Sequence, residues 1–268
     1  MIDRQTSRTH GAPASAPDSV CFQFREFATH NVSVRLLGPP RMRCAETQLE
    51  SRISAQTMLV FALLVTRLGE TLNRDEVAFT LWPDSTEGEA RAALRRHLYK
   101  LHQALPASPQ PWLVCDAKTI TWAPNTETWV DVVEFERLCE TPATLESAAR
   151  LYRGDFAPYV DHDWASEIRE RLRRRACRVF EDVVAQRRGV GDIRGALYYV
   201  EQLLAHDPWR EDALRTFMLL RYSIGDRAGA LSYYRVFRER LRSEFDVDPM
   251  PETLRCFDTI ARGLVAES

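Results

Sequence analysis

From Ala90 to Leu105 the chain carries Arg91, Arg95, Arg96 and Lys100 and not one acidic residue. A guanidinium donates in pairs to guanine O6 and N7 or to phosphate oxygens, so arginines gathered on one helical face offer the chemistry of nucleic-acid recognition. Leu94, Leu98, Leu101 and Leu105 follow at spacings of four, three and four, which collects them on one stripe of a helix. With Leu98 at the centre of that stripe, Ala92, Arg96, Tyr99 and Gln103 fall on the opposite face, flanked by Arg95 and Lys100. Arg95, Arg96 and Arg91 are expected to address base edges, Arg96 foremost, while Tyr99, Lys100 and Gln103 are expected to hold phosphates or sugars. A solvated face is the ordinary fate of an arginine run, so the neighbouring elements must decide.

Those neighbours read as a winged helix-turn-helix. Asn73 is an N-cap for a short helix over Arg74 to Leu81, which Trp82-Pro83 ends because proline disfavours helical backbone at the residue before it. A turn over Asp84 to Gly88 leads into the long basic helix. Ser85 and Glu89 make a poor capping box, but Glu87 and Glu89 suit the positive end of the helix dipole. Past Pro106 to Pro111, Trp112 to Cys115 and Thr119 to Trp122 read as two short strands around Asp116-Ala117-Lys118, a wing whose tip places Lys118 against a backbone or minor groove. Upstream, Val32, Val34 and Leu36 alternate with Ser33 and Arg35, Gly38-Pro39-Pro40 turns, and Met42 and Cys44 alternate with Arg41 and Arg43, which predicts two antiparallel strands. Ser54 caps an apolar helix running to Gly69.

The formal net charge of −2 confines any nucleic-acid contact to a local patch. The absence of a long apolar run or a secretion signal predicts a cytoplasmic protein with no membrane contact. Six cysteines, Cys21, Cys44, Cys115, Cys139, Cys177 and Cys256, have no metal or dithiol spacing and are expected to be reduced and mostly buried. Asp161-His162-Asp163 lacks a further histidine at ligand spacing and reads as a loop into Trp164, so no metal is expected. No phosphate loop, dinucleotide turn or nucleophile elbow is present, which predicts neither a cofactor nor an enzyme.

Residues 1–30, mixed Ser, Thr, Pro, Ala and Arg, are expected to be a disordered lead-in, 31–125 the winged helix-turn-helix, and 126–265 an all-α domain, for a mainly α chain overall. In the last of these, Gly191-Asp192-Ile193-Arg194-Gly195-Ala196-Leu197-Tyr198-Tyr199 aligns with Gly225-Asp226-Arg227-Ala228-Gly229-Ala230-Leu231-Ser232-Tyr233 at an offset of 34 residues, the tetratricopeptide (TPR) period. The Gly-Ala at each second helix is expected to let two backbones approach. Leu145 to Phe156 with the helix Trp164 to Arg188 supplies a degenerate third pair, and Glu252 to Leu264 a closing helix. Tyr198, Tyr199, Tyr233, Tyr234 and Phe237 are expected in the core between repeats. Arg169, Arg171, Arg173, Arg174, Arg175 and Arg178 are expected to be solvated or paired with Glu167, Glu170, Glu181 and Asp182.

Leu81-Trp82-Pro83, the run Ala90 to Leu98, Val130-Asp131-Val132-Val133-Glu134-Phe135, Leu151-Tyr152-Arg153-Gly154-Asp155-Phe156, the Trp164 region and Asp207-Pro208-Trp209-Arg210-Glu211 occur here in an order that resembles one family. It is that of the bacterial activators of the antibiotic-regulatory-protein type, which join an OmpR-like winged helix to a bacterial transcriptional activator domain. The resemblance covers roughly residues 32–263. It implies binding to double-stranded promoter DNA, self-association on repeated sites and contact with RNA polymerase holoenzyme. Larger members continue into a nucleotide-hydrolysing module and sensor repeats; with the sequence ending at Ser268, control by such a module is expected to be absent. The residues alone leave open a different class, a TPR-type scaffold whose winged helix is a further protein contact.

Overall fold

The computed structural model describes residues 32–44, 47–48, 53–105, 107–108, 110–123, 128–158 and 160–264; the expected lead-in over residues 1–30 lies outside them. Strands β1 (Val32–Arg35), β2 (Arg41–Cys44) and β3 (Thr47–Gln48) form an antiparallel meander, and β7 (Thr128–Val130) lies parallel to β1, so the sheet order is β3-β2-β1-β7. This corrects the alternation read from the sequence. β1 is buried on both faces, Ser33 and Arg35 included, because the parallel strand beyond the winged-helix segment and its helix cover the face that a two-stranded hairpin would leave wet.

Helices α1 (Ala55–Thr66), α2 (Arg74–Leu81) and α3 (Glu87–Ala104) follow, with β4 (Thr71–Asn73) between the first two. A second sheet has the order β4-β6-β5, where β5 (Leu113–Cys115) and β6 (Thr119–Trp122) are the expected hairpin. Ser54 accepts the Thr57 N–H and Asn73 those of Asp75 and Glu76, as their types required. α1 ends at Thr66 with Arg67 as C-cap, and Gly69, at φ +80°, supplies the left-handed turn beyond. Leu94, Leu98, Leu101 and Leu105 are buried, and Phe61 meets Trp122 edge-on at 5.1 Å between ring centroids.

The remaining chain is helical: α4 (Asp131–Leu138), a 3-10 turn at Pro142–Thr144, α5 (Leu145–Leu151), α6 (Asp163–Gly189), α7 (Ile193–His206), α8 (Glu211–Ser223), α9 (Arg227–Phe245) and α10 (Pro251–Arg262). Sequential neighbours pack from α5 through α9, and α10 closes the stack against α8 and α9. Asp192 and Asp226 cap α7 and α9 at equivalent repeat positions by accepting the Gly195 and Gly229 N–H groups at 2.9 and 2.8 Å. That changes the expected reason for the two glycines. A Cβ at either would first overlap its own capping carboxylate, while Ala196 and Ala230 are fully buried.

A dense seam joins the sheet to the helical half. Asp131, fully buried, accepts the backbone N–H groups of Leu36 at 2.8 Å and Leu37 at 2.9 Å. Gly38, at φ +95°, faces Gly154, where a Cβ would sit 3.2 Å from the Gly38 Cα. Gly38 N–H donates to the Asp155 carbonyl at 3.0 Å, Ala157 N–H to the Leu36 carbonyl at 2.7 Å, and Phe156 is wholly buried. Two of the sequence blocks singled out above, around Asp131 and Leu151 to Phe156, therefore build this joint.

Candidate nucleic-acid interface

α3 is held rigidly on its inner side. Thr86, not Ser85, is the N-cap: its hydroxyl accepts the Glu89 N–H while the Glu89 carboxylate accepts the Thr86 N–H at 3.0 Å, a complete capping box. The Thr-x-x-Glu spacing was readable, and because of it the helix begins at Glu87, inside the turn expected over Asp84 to Gly88. The Thr86 bonds hold the Glu89 carboxyl below its ordinary range. His97, which the leucine stripe does not include, is buried, lies 3.0 Å from Thr57 Oγ1 through Nδ1 and stacks on Trp82 at 5.7 Å. Burial, then the positive charges of Arg96 and Lys100, push its imidazole down toward the neutral form. Trp82 thus serves the turn twice: Pro83 ends α2, and the indole caps the inner face of α3.

The outer side is wet and basic. Arg91, Ala92, Arg95, Arg96, Tyr99, Lys100 and Gln103 are all exposed, Tyr99 at 67%. Arg91 differs from the rest: it donates bidentately to Asp75 at 2.7 Å and reaches Glu87 at 2.6 Å, and its guanidinium holds the Asp75 carboxyl below the usual range. It ties α2 to α3, a fastening that the sequence reading assigned to base contact. No carboxylate lies within ion-pair distance of Arg95, Arg96 or Lys100 among the described residues.

The wing is anchored as well as turned. Asp116 accepts the N–H groups of Lys118 and Thr119 at 2.7 and 2.6 Å, and these bonds, Lys118's first, lower its pKa. Arg74 N–H donates to the Lys118 carbonyl at 2.9 Å and its guanidinium reaches the Asp116 carbonyl at 3.3 Å, so the start of α2 grips the wing tip. Lys118 is left exposed.

The second arginine run behaves oppositely. Arg171 pairs with Glu136, Arg173 with Asp155 and Arg175 with Glu140, while Arg169 donates to the carbonyls of Phe156, Ala157 and Val160. Most partners lie on other elements rather than on α6 itself, where solvation or pairing with Glu167, Glu170, Glu181 and Asp182 was expected; Arg174 and Arg178 are exposed. Only Arg173 and Arg174 reach Glu170, and Glu181 goes to Arg210. The aromatic expectation is also split: Tyr199, Tyr234 and Phe237 are buried, whereas Tyr198 and Tyr233 are exposed. Of the four cysteines with a described environment, Cys177 is buried, Cys139 and Cys256 are half-buried and Cys115 is exposed on the wing, less burial than expected. His162 is the residue before α6, and no group of three or more potential metal ligands occurs among the described residues.

The architecture is a helix-turn-helix with an anchored wing, followed by stacked helix pairs. Residues 131–261 match the family model of the bacterial transcriptional activator domain. The chain is 26% identical to regulatory protein AfsR of Streptomyces griseus over 240 residues and to that of Streptomyces coelicolor over 258, alignments that cover 85% and 91% of this chain. It spans about a quarter of the length of these relatives (24%). Its fold is similar to that of Mycobacterium tuberculosis EmbR, solved in complex with a low affinity phosphopeptide, with a TM-score of 0.63 at 19% identity, over 88% of this chain and 66% of that one. Residues 131–261 are thus similar to a bacterial transcriptional activator domain, and most of the chain is similar to the AfsR regulatory proteins.

Proposed function

We propose that this protein is a sequence-specific DNA-binding activator that docks α3 in the major groove of promoter DNA. The observation that carries the reading is the contrast between two arginine runs: those of α6 are largely spent on carboxylates and carbonyls, whereas Arg95, Arg96 and Lys100 stand exposed, with no ion-pair partner among the described residues, on a capped helix. Unpaired cations on a fixed face are what phosphate neutralisation and bidentate guanine contact require. Lys118 on the gripped wing tip adds a backbone or minor-groove contact beside them, and Arg91 contributes by fixing the angle between α2 and α3. The family relationship supports self-association on repeated sites and contact of the helical half with RNA polymerase holoenzyme, with no chemical step catalysed by this chain.

The test is selection of genomic DNA fragments by the purified protein at moderate salt, with Arg95→Ala/Arg96→Ala in parallel. A repeated motif enriched by the wild type and lost in the double variant is the expected result. Equal enrichment by both proteins would sink the assignment, and no enrichment by either would favour a protein-interaction scaffold.

A further inference from the structure

Resting on that DNA-binding reading, we infer that α3 lies lengthwise in the groove and reads an operator through Arg96 and Gln103, which select a guanine and an adenine two or three base pairs apart. Two observations set the orientation. The first turn of α3 carries Glu87 and Glu89, and Glu89 is committed to the capping box with Thr86, so the N-terminal tip presents carboxylates to any approaching phosphate. Arg91, the first cation of the helix, is shared between Asp75 and Glu87, so one guanidinium faces three carboxylates there and the tip stays acidic on balance. A tip-first approach would bring these acids against the DNA backbone; a lengthwise approach uses the middle and C-terminal part of the helix, where there is no acid at all.

Along that part, Arg96 and Gln103 are seven residues apart and share one face, since seven residues are two turns less about 20°. Their Cα atoms are separated by about 10 Å along the axis, which corresponds to about two to three base-pair steps at 3.4 Å each once the inclination of the groove is included. Tyr99 stands between them and Arg95 and Lys100 flank them on the two sides, all exposed, so the flanks face the two phosphate strands while the ridge faces the bases. Gln103 is exposed and, with Arg96, lies on the side of the helix opposite the leucine stripe. A primary amide both donates and accepts, and it matches adenine N6 and N7 as a guanidinium matches guanine O6 and N7. Gln103 is thereby a base-reading residue rather than the phosphate contact expected from the sequence.

The experiment is selection from a randomised duplex library by the full chain and by three variants, Arg96→Ala, Gln103→Glu and Gln103→Ala, each checked for an unchanged thermal melt. The wild type is expected to enrich a motif holding guanine and adenine two or three positions apart. Arg96→Ala should lose the guanine preference and keep the adenine. Gln103→Glu should replace adenine by cytosine, whose N4 amine donates to a carboxylate, and Gln103→Ala should cut the adenine preference by about tenfold or more. A wild-type motif that both Gln103 variants leave intact overturns the role given to Gln103 while sparing the DNA-binding reading. Failure of the wild type to enrich any sequence overturns both.

Discussion

Arginine alone is a poor guide to function in this chain; the partner of each arginine is the guide. Arg91 and Arg96 sit five residues apart on the same helix, yet one is tied to Asp75 and Glu87 and the other faces solvent. Their replacement should therefore differ in kind. Lys100→Ala is expected to reduce the slope of log affinity against log salt by about one, as the loss of one phosphate contact does, whereas Arg91→Ala should leave that slope unchanged. Fluorescence anisotropy on one operator across a salt series measures both, and an equal change in the two variants would refute the distinction. The glycines separate similarly. Gly195→Ala or Gly229→Ala pushes a Cβ into the capping carboxylate and should cost about 1–2 kcal/mol by loss of the cap. Gly88→Ala in the first turn of α3 meets nothing within 4 Å and should stabilise by about 0.5–1 kcal/mol. Chemical denaturation of the three variants compares the signs directly.

At the scale of elements, α3 depends on contacts at both its end and its inner face. Thr86→Ala removes the hydroxyl that satisfies the Glu89 N–H and leaves the Glu89 carboxylate only the backbone N–H of residue 86, so it is expected to cost about 1 kcal/mol and to raise amide exchange in residues 87–90. Hydrogen exchange by mass spectrometry would show it, and protection unchanged over that turn would contradict the capping account. Much of α3 and its neighbours was legible in advance: the leucine spacing gave the buried stripe of α3, Ser54 and Asn73 gave the caps of α1 and α2, and Trp82-Pro83 gave the break after α2. Two features were not. His97 reads as polar, and only the juxtaposition of Thr57, some forty residues earlier, with the Trp82 ring makes its burial tolerable by satisfying Nδ1 and covering the ring face. The pairing of Arg91 with Asp75 likewise crosses from one helix to another, sixteen residues back, beyond the reach of helical periodicity.

Across the whole molecule, Asp131 carries the coupling between sheet and helices. Burial pushes its carboxyl up to about 6, against the opposing pull of the Leu37 and Leu36 N–H groups and of Arg35. In the unfolded chain the same group titrates near 4. The folded state thus keeps a proton that the unfolded state releases, and the stabilisation this gives is whole below about pH 4 and is lost as pH rises through about 6. Its size is roughly 2–3 kcal/mol. His97 has the reverse sign: its lowered pKa gives stability that is present above about 6.5 and declines as the pH falls. The contribution of Asp131 is isolated by subtracting the stability of Asp131→Asn from that of the wild type at each pH. That difference should fall steadily between about pH 4 and 6; a flat difference would show that the carboxyl is ionised throughout and held by the Leu36 and Leu37 N–H groups.

The chain's local patterns determined what depends on neighbours a few residues away. The 3.6-residue leucine stripe marked α3, the Gly-Asp turns at a 34-residue offset marked the repeats, and the clustering of positive charge on one face followed from which residues share a turn. Only the tertiary structure decided which cations are spent and which remain, because an ion pair such as Arg173 with Asp155 or Arg91 with Asp75 forms between segments that nothing in their spacing brings together. It also decided that β1 is covered on both faces, since the parallel partner Thr128–Val130 arrives from nearly a hundred residues downstream. Three residues of isolated strand carry too weak a pattern to announce themselves, and their pairing is stabilised by Asp131 gathering the Leu36 and Leu37 amides, a nonlocal bond whose donors are backbone groups common to every sequence.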